Sequence, residues 1–561
     1  MPTGGELIVD CLKAQGVDRV FCVPGESYLD VLDALYESGI EAVGARHEGG
    51  AAMMAEADGK LTGRPGVALV TRGPGATNAA AGVHVAKQDS TPMVLLVGQI
   101  GRAMRGREAF QEVDYRQTFR DLAKWVEEID QAARIPEVMS HAWHVAMAGR
   151  PGPVVLSLPE DMLREGAQSA AGVVAAGPRV EPIESAPSPA QMARLQNLLD
   201  QAERPMMVLG GSRWTALARS QTMHFAARFD IPTAVSFRRQ TLFDPEHPAY
   251  AGDAGLGANP ALVERMKRAD LLILLGARFS ENPSQDFTVL GIPKPQQTLV
   301  HVHPGPEEIG RIYTPDLGIV AAPAAFLEAA ATLTPARAPS GQAEAAHRSY
   351  LDWTAQPERA PGDSAGGVDM GAVIAHLRDS AREDQALREA VLCNGAGNYA
   401  IWLHRFHRYR VYGTQLAPTS GSMGYGLPAA IAAKRRLPDR EVVAFAGDGC
   451  FQMTGMEFGT AAQLGLGVLV IVVDNGSYAT IRMHQEKRFP GRVSATALEN
   501  PDFAALARAY GAFGETVRET SGFADAFARA RAHIRAAGGP ALLHLLTDVE
   551  ALTPTLRLSA L

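Results

Sequence analysis

The feature that most constrains this chain is a recurring unit: a short, unbroken apolar run stops at a glycine or turn residue and gives way to a stretch with helical spacing. VALVT (67–71), MVLLVGQ (93–99), PVVLSLP (153–159), MMVLGG (206–211), LLILLGA (271–277), TLVHVH (298–303), VVAFAGDG (442–449) and GVLVIVVDNG (467–476) all have this form. Apolar runs of strand length with no polar alternation suit strands buried on both faces, as in parallel sheets covered by helices. Two stretches rich in Ala, Pro, Ser and Gly, 168–190 and 333–368, interrupt the series and read as linkers. They leave blocks at 1–167, 191–332 and 369–550, each predicted to be an open-sheet α/β domain, and three domains suit a chain of 561 residues. In open sheets of this kind ligands sit beyond the carboxyl ends of the strands, so the residues that follow the runs are the candidates for chemistry.

Composition removes several alternatives. Lys and Arg number 53 against 61 Asp and Glu, a net charge of −8 with no basic block, so a nucleic-acid partner lacks its electrostatic footprint. Cys11, Cys22, Cys393 and Cys450 contain no C-x-x-C pair and read as buried thiols in a reducing compartment. The N-terminal MPTGGELIVDCLKAQG has neither the basic nor the apolar region of a signal peptide, and no apolar run is long enough to span a bilayer. The expectation is a soluble, cytoplasmic protein. The HRFHRYR segment (404–410) reads as a solvated basic surface, and the histidines show no metal-ligand spacing.

Two glycine turns, Gly73-Pro-Gly75-Ala-Thr-Asn78 and Gly395-Ala-Gly397-Asn-Tyr-Ala400, approximate the dinucleotide fingerprint. The ribose-binding acid is missing from 401 to 438, and Asp89 is the only acid within twenty residues after Asn78, which leaves phosphate contact by backbone amides as the surviving use. A stronger constellation lies further on. The run VVAFA leads into Gly447-Asp448-Gly449, and the next apolar run ends at Asn475, placing two oxygen-bearing side chains at the carboxyl ends of successive strands. A hard cation such as Mg2+ takes oxygen ligands of this kind while keeping diphosphate oxygens in its shell.

Gly-Asp-Gly followed at this distance by Asn resembles the signature of thiamine diphosphate enzymes. VFCVPGESYLDVLDAL, RHEGGAAMMAEADGKLTGRPGVALVTRGPGATN, AFQEVD, GRPGPVVLSLPED and GSMGYGLPAAIAA extend the resemblance to the acetolactate synthase-like branch, which includes pyruvate oxidases, decarboxylases and carboligases. It implies pyrimidine-binding, central and diphosphate-binding α/β domains, in that order, in a homodimer or homotetramer. It further implies Mg2+ held by Asp448, Asn475 and the carbonyl of Ser477, with Asn398 and the amides of Gly449 and Cys450 around the diphosphate. Met423 would support the bent cofactor from beneath and the carbonyl of Gly421 would accept from its 4′ nitrogen. Glu48 would share a proton with N1′ of the pyrimidine, a general acid–base role.

Around the reactive carbon the resemblance divides. Phe110 and Gln111 match acetolactate synthases, whereas Glu26 takes the place of a decarboxylase acid, and as a lone carboxyl beside an apolar wall it is expected to titrate high. The decarboxylases' His pair is absent, Ile481 replaces their second catalytic Glu, and Thr480 and His484 replace the Met and Trp common in acetolactate synthases. The implied reaction is decarboxylation of a 2-oxo acid such as pyruvate and ligation of the acyl group to a carbonyl acceptor. A 2-oxo acid decarboxylase or aldehyde lyase of the same family is the alternative, and a non-catalytic cofactor-binding regulatory subunit is the rival from another class. In the central block GARF (276–279) resembles a flavin-contacting segment, making Arg278 the candidate for FAD, while GDAGLG (252–257) and His303 depart from the flavin pattern, so that a vacant or ADP-type site is the alternative.

Overall fold

The computed structural model describes residues 1–169, 172–355 and 366–561. Three six-stranded sheets organise the chain, and every strand pairing within them is parallel. Side by side, the first sheet runs Glu41–Gly44, Arg19–Cys22, Gly66–Val70, Met93–Gln99, Pro153–Pro159 and Trp125–Glu128. The third runs Gln415–Leu416, Val391–Asn394, Val442–Gly447, Val468–Asp474, Ala541–Leu546 and Phe513–Val517. Both follow the chain order 2-1-3-4-6-5. The middle sheet runs Tyr250–Ala254, Thr233–Ser236, Pro205–Leu209, Leu271–Leu275, Thr298–His303 and Leu317–Val320, which is the order 3-2-1-4-5-6 of dinucleotide-binding folds. The three blocks are therefore open parallel sheets, as the apolar runs predict, but the middle one is wound differently, a distinction that resides in connectivity and leaves no mark in the runs.

The first and third sheets share one hydrophobic core. At its centre the helix Glu48–Thr62 lies against Gly426–Arg436 and Pro74–Asp89. It has no polar face, being buried continuously from Gly49 to Gly59, and its small side chains allow close approach. A Cβ on Gly82 would lie 2.4 Å from that of Ala52, and one on Gly66 would lie 1.8 Å from the carbonyl oxygen of Ala55. The acids enclosed in this helix are all partnered: Glu56 accepts from Thr91 at 2.6 Å and from Tyr425, and Asp58 takes Arg436 at 2.7 and 2.9 Å.

Two expectations fail here. The 333–368 stretch contains the helix Gln342–Trp353, which packs on the strand Tyr250–Ala254, and 356–365 lie outside the described residues. HRFHRYR is interior: His404, His407, Tyr409 and Arg410 are buried between the third and middle domains. Some of its polar groups are matched there, His404 Nε2 to Asn394 Oδ1 at 3.1 Å and Arg410 Nε to Glu246 at 2.8 Å, whereas His407 Nδ1, Tyr409 OH and Arg410 Nη2 are buried without a partner, and burial drives the ring of His407 down to about 3. All four cysteines are buried and free, as expected. Among the described residues no helix is long and apolar enough to cross a membrane.

Candidate functional site

In an open sheet of order 2-1-3-4-6-5 the connections diverge between strands 1 and 3, and a crevice opens there beyond their carboxyl ends. In the third sheet these are Val391–Asn394 and Val442–Gly447, and the crevice is a cavity of about 230 Å³. The glycine turn at 395–398 forms one wall, Gly447–Cys450 the floor, and 473–481 the other wall, with Gly421 and Met423 at the side. Gly421, at φ 69°, adopts a left-handed backbone that a side chain would strain. Met423 is half-buried against the shared core. Cys450 Sγ accepts from Gly424 N at 3.1 Å and so ties the 421–424 loop to the floor.

Asn398 is buried, and its two ends are treated differently. Thr480 Oγ1 accepts from its backbone N at 3.1 Å and donates to Oδ1 at 2.9 Å, whereas Nδ2 has no partner. A buried amide donor left unmatched in a cavity wall fits an anionic ligand oxygen. Thr480, expected against substrate, lines the cavity and also holds Asn398. Ile481 lines the cavity, but His484 is exposed on the same helix and does not.

Asp448 and Asn475 stand at the floor. Asp448 accepts from Gly449 N at 2.8 Å, Ser477 N at 3.2 Å and Asn500 Nδ2 at 2.8 Å, and Asn475 Oδ1 accepts from Ser477 N at 3.1 Å. Burial, together with the facing Asp474, raises the Asp448 carboxyl to about 6. No group of three or more His, Cys, Asp or Glu that could hold a metal exists among the described residues. A carboxylate, an amide and a backbone carbonyl alone make a partial shell, which suits a Mg2+ that draws its remaining ligands from phosphate and water. Asp474, Asn500 and His544 form a second layer that the sequence reading missed; Asp474 adjoins Asn475 in the chain, but nothing in the sequence signals the other two.

Glu26, Glu48, Phe110 and Gln111 belong to the first domain, and none of them lines this cavity. Glu48 opens the helix Glu48–Thr62, where its Oε2 accepts from Asn78 Nδ2 at 3.0 Å and its Oε1 would lie 3.3 Å from a Cβ on Gly75, so the glycine turn at 73–78 keeps clear of it. Gln111, at φ 65°, abuts Gly73, and Phe110 is 74% exposed. Glu26 is neither lone nor walled in by apolar groups: its side chain is 72% exposed and pairs with Arg72 at 2.7 Å. Arg72 in turn reaches Glu160 at 3.3 Å. The candidate residues of a single chain thus fall into two separate groups, one on each 2-1-3-4-6-5 sheet.

The middle sheet borders a further cavity of about 210 Å³ at the junction of all three domains, lined by Lys60, Asp89, Arg213, Arg238 and Arg239 among others. Arg238 is buried with Nε unmatched. Arg278 does not face this cavity: its Nη2 donates to the carbonyl of Gln88 at 2.7 Å, and burial lowers the guanidinium to about 10. Arg278 in this way ties the middle domain to the first.

Comparison with known proteins accounts for this arrangement. Residues 2–118 match the thiamine pyrophosphate enzyme N-terminal TPP binding domain, 192–330 the central domain and 395–545 the C-terminal TPP binding domain. The chain belongs to the thiamine pyrophosphate enzyme family. Within it, the chain is 32% identical over 546 residues to the acetolactate synthase large subunit of Corynebacterium glutamicum, covering 94% of this chain and 84% of that one. It is 30% identical over 549 residues to the acetolactate synthase isozyme 2 large subunit of Escherichia coli, covering 97% and 95%. It is an enzyme of the acetolactate synthase-like branch, dependent on thiamine diphosphate.

Proposed function

We propose that this enzyme uses thiamine diphosphate with Mg2+ to decarboxylate a 2-oxo acid, pyruvate being the simplest, and to ligate the acyl group to a carbonyl acceptor. The observation that carries the cofactor half of this reading is the unmatched Nδ2 of Asn398 in the same cavity wall system as Asp448 and Asn475. Asp448, Asn475 and the carbonyl of Ser477 would hold the cation, and Asn398 with the amides of Gly449 and Cys450 would orient the diphosphate. When bound, thiamine diphosphate supplies the electron sink that allows the 2-oxo acid to lose CO2. Met423 would support the cofactor rings, the carbonyl of Gly421 would accept from the 4′ nitrogen, and Glu48 would hold the proton at N1′.

Ligation over aldehyde release is favoured by what surrounds the reacting carbon. Ile481 offers an apolar wall with no proton, and Glu26, engaged by Arg72, is not a free acid. Gln111 would then face the acceptor. The two groups, read as half-sites, require a second copy of the chain, with Glu48 of one chain meeting Asp448 of the other, which makes the working unit a homodimer or a homotetramer built from such pairs. A regulatory subunit has no use for Glu48, Asp448 and Asn475 together, and the enzyme reading stands. We place any flavin adenine dinucleotide in the cavity beside Arg238, where a yellow purified protein would reveal it.

The test is product analysis. A panel of 2-oxo acids with and without added aldehyde or ketone should give ThDP- and Mg2+-dependent CO2 release, with hydroxyketone exceeding free aldehyde when acceptor is abundant. Predominant aldehyde at saturating acceptor would turn the assignment to a decarboxylase.

A further inference from the structure

Two carboxylates face each other beneath the cavity, and only one of them lines it. Asp448 borders the cavity; Asp474, which ends the strand Val468–Asp474, does not. Left to themselves, neighbouring carboxylates share a proton or compete for the same cation. Here a single amide is shared by both of them. Asn500 Nδ2 donates one hydrogen to Asp448 Oδ2 at 2.8 Å and the other to Asp474 Oδ1 at 2.7 Å. Its orientation is determined on both ends, because both carboxylates accept only and its own Oδ1 accepts from Gln452 Nε2 at 2.8 Å. Asp474 also accepts from Gly476 N at 2.9 Å and lies 2.8 Å from His544 Nε2, and His544 is itself buried against the ring of Phe503.

We propose that Asn500 is a positioning residue that bridges Asp448 and Asp474 and fixes their relative placement, leaving Asp448 as the carboxylate presented to Mg2+ while Asp474 is retained in the layer beneath. The inference rests on the metal assignment made above. Asn500 lies outside the Gly-Asp-Gly and Asn475 pattern, on the segment that follows the helix Ala479–Arg488, and it touches no cavity-lining cofactor position other than through Asp448. It therefore acts on the cation through another residue. Groups in this second layer commonly control metal affinity by 10- to 100-fold, roughly.

The experiment uses the full-length apoenzyme. ThDP binding is followed by tryptophan fluorescence at fixed ThDP while Mg2+ is titrated, and thermal melting is recorded without Mg2+. Asn500→Leu, which keeps the volume and removes both donors, should raise the half-saturating Mg2+ concentration on the order of tenfold or more. Its melting temperature should stay at the wild-type value. The double variant Asn500→Leu with Asp474→Asn should recover most of that loss, since one of the two competing charges is gone; a residue that merely held the fold would not be rescued this way. Asp448→Ala separates the two layers of the hypothesis, because it should abolish the Mg2+ response altogether. If Asp448→Ala loses the response while Asn500→Leu titrates as wild type, or if the double variant is no better than the single one, the role given to Asn500 is overturned and the metal assignment survives. If Asp448→Ala titrates as wild type, both fall. Should Asn500→Leu fail to fold, Asn500→Ser, which can serve one carboxylate but not both, decides the matter by showing or lacking an intermediate shift.

Discussion

At the scale of single residues, the candidate site is governed by how a few polar groups are aimed. Thr480 exchanges two hydrogen bonds with Asn398, so its hydroxyl decides which end of that amide faces the cavity. Replacing it with Val keeps the shape and removes both bonds; the amide is then free to turn, and ThDP should bind about tenfold more weakly, a loss of roughly 1.4 kcal/mol typical of one hydrogen bond. Thr480→Ser should bind as wild type, and calorimetric titration of both variants with ThDP and saturating Mg2+ distinguishes this from a packing effect. Asp448 and Asn475 were legible in sequence because each directly follows an apolar strand, and Glu48 because of the family resemblance of RHEGG. Thr480 lines the cavity as expected, but its bonds to Asn398 were not legible, since a sequence separation of 82 residues carries no hint of contact. Glu26 misled for a similar reason: Arg72, which pairs with it, comes from a different strand end.

Among the elements, strands were the easiest to foresee and their surroundings the hardest. Met93–Gln99, Pro153–Pro159 and Thr298–His303 coincide with their apolar runs, because a strand buried on both faces must be apolar throughout. The helix Gln342–Trp353 was hidden by the Ala-, Pro- and Ser-rich composition around it, and the interior position of HRFHRYR by charges whose partners lie in another domain. The strand Thr298–His303 also carries a consequence for acid stability. Burial lowers both His301 and His303 to about 4, with His301 Nε2 on the carbonyl of Ala277 and His303 Nδ1 accepting from Gly305 N. Between the unfolded value near 6.5 and about 4 the unfolded chain takes up protons that the folded strand refuses, so stability falls as pH drops through that window, by at most about 3 kcal/mol for each histidine. Melting temperatures measured from pH 7 to 4 should decline, and less steeply in the His301→Gln, His303→Gln pair than in the wild type; parallel curves would show that other groups dominate.

For the whole molecule, the division of the candidate residues into two half-sites makes a prediction about mixing. Glu48→Gln and Asp448→Ala should each be inactive alone. When the two are refolded together, random pairing makes half of the dimers mixed, and each mixed dimer has one doubly damaged site and one intact site, so about a quarter of wild-type activity should return. No recovery on mixing would place Glu48 and Asp448 in the same chain's site. A second consequence follows from the core shared by the first and third sheets. The helix Glu48–Thr62 is covered by Gly426–Arg436, which the ribosome makes roughly 360 residues later, about 20–70 s at ordinary elongation rates of ~5–20 residues per second. For that interval the nascent chain, although Pro74–Asp89 already covers one side of the helix, leaves bare the apolar side that Gly426–Arg436 will cover, so synthesis itself, rather than the finished protein, is where this architecture is most exposed to aggregation and most dependent on chaperones.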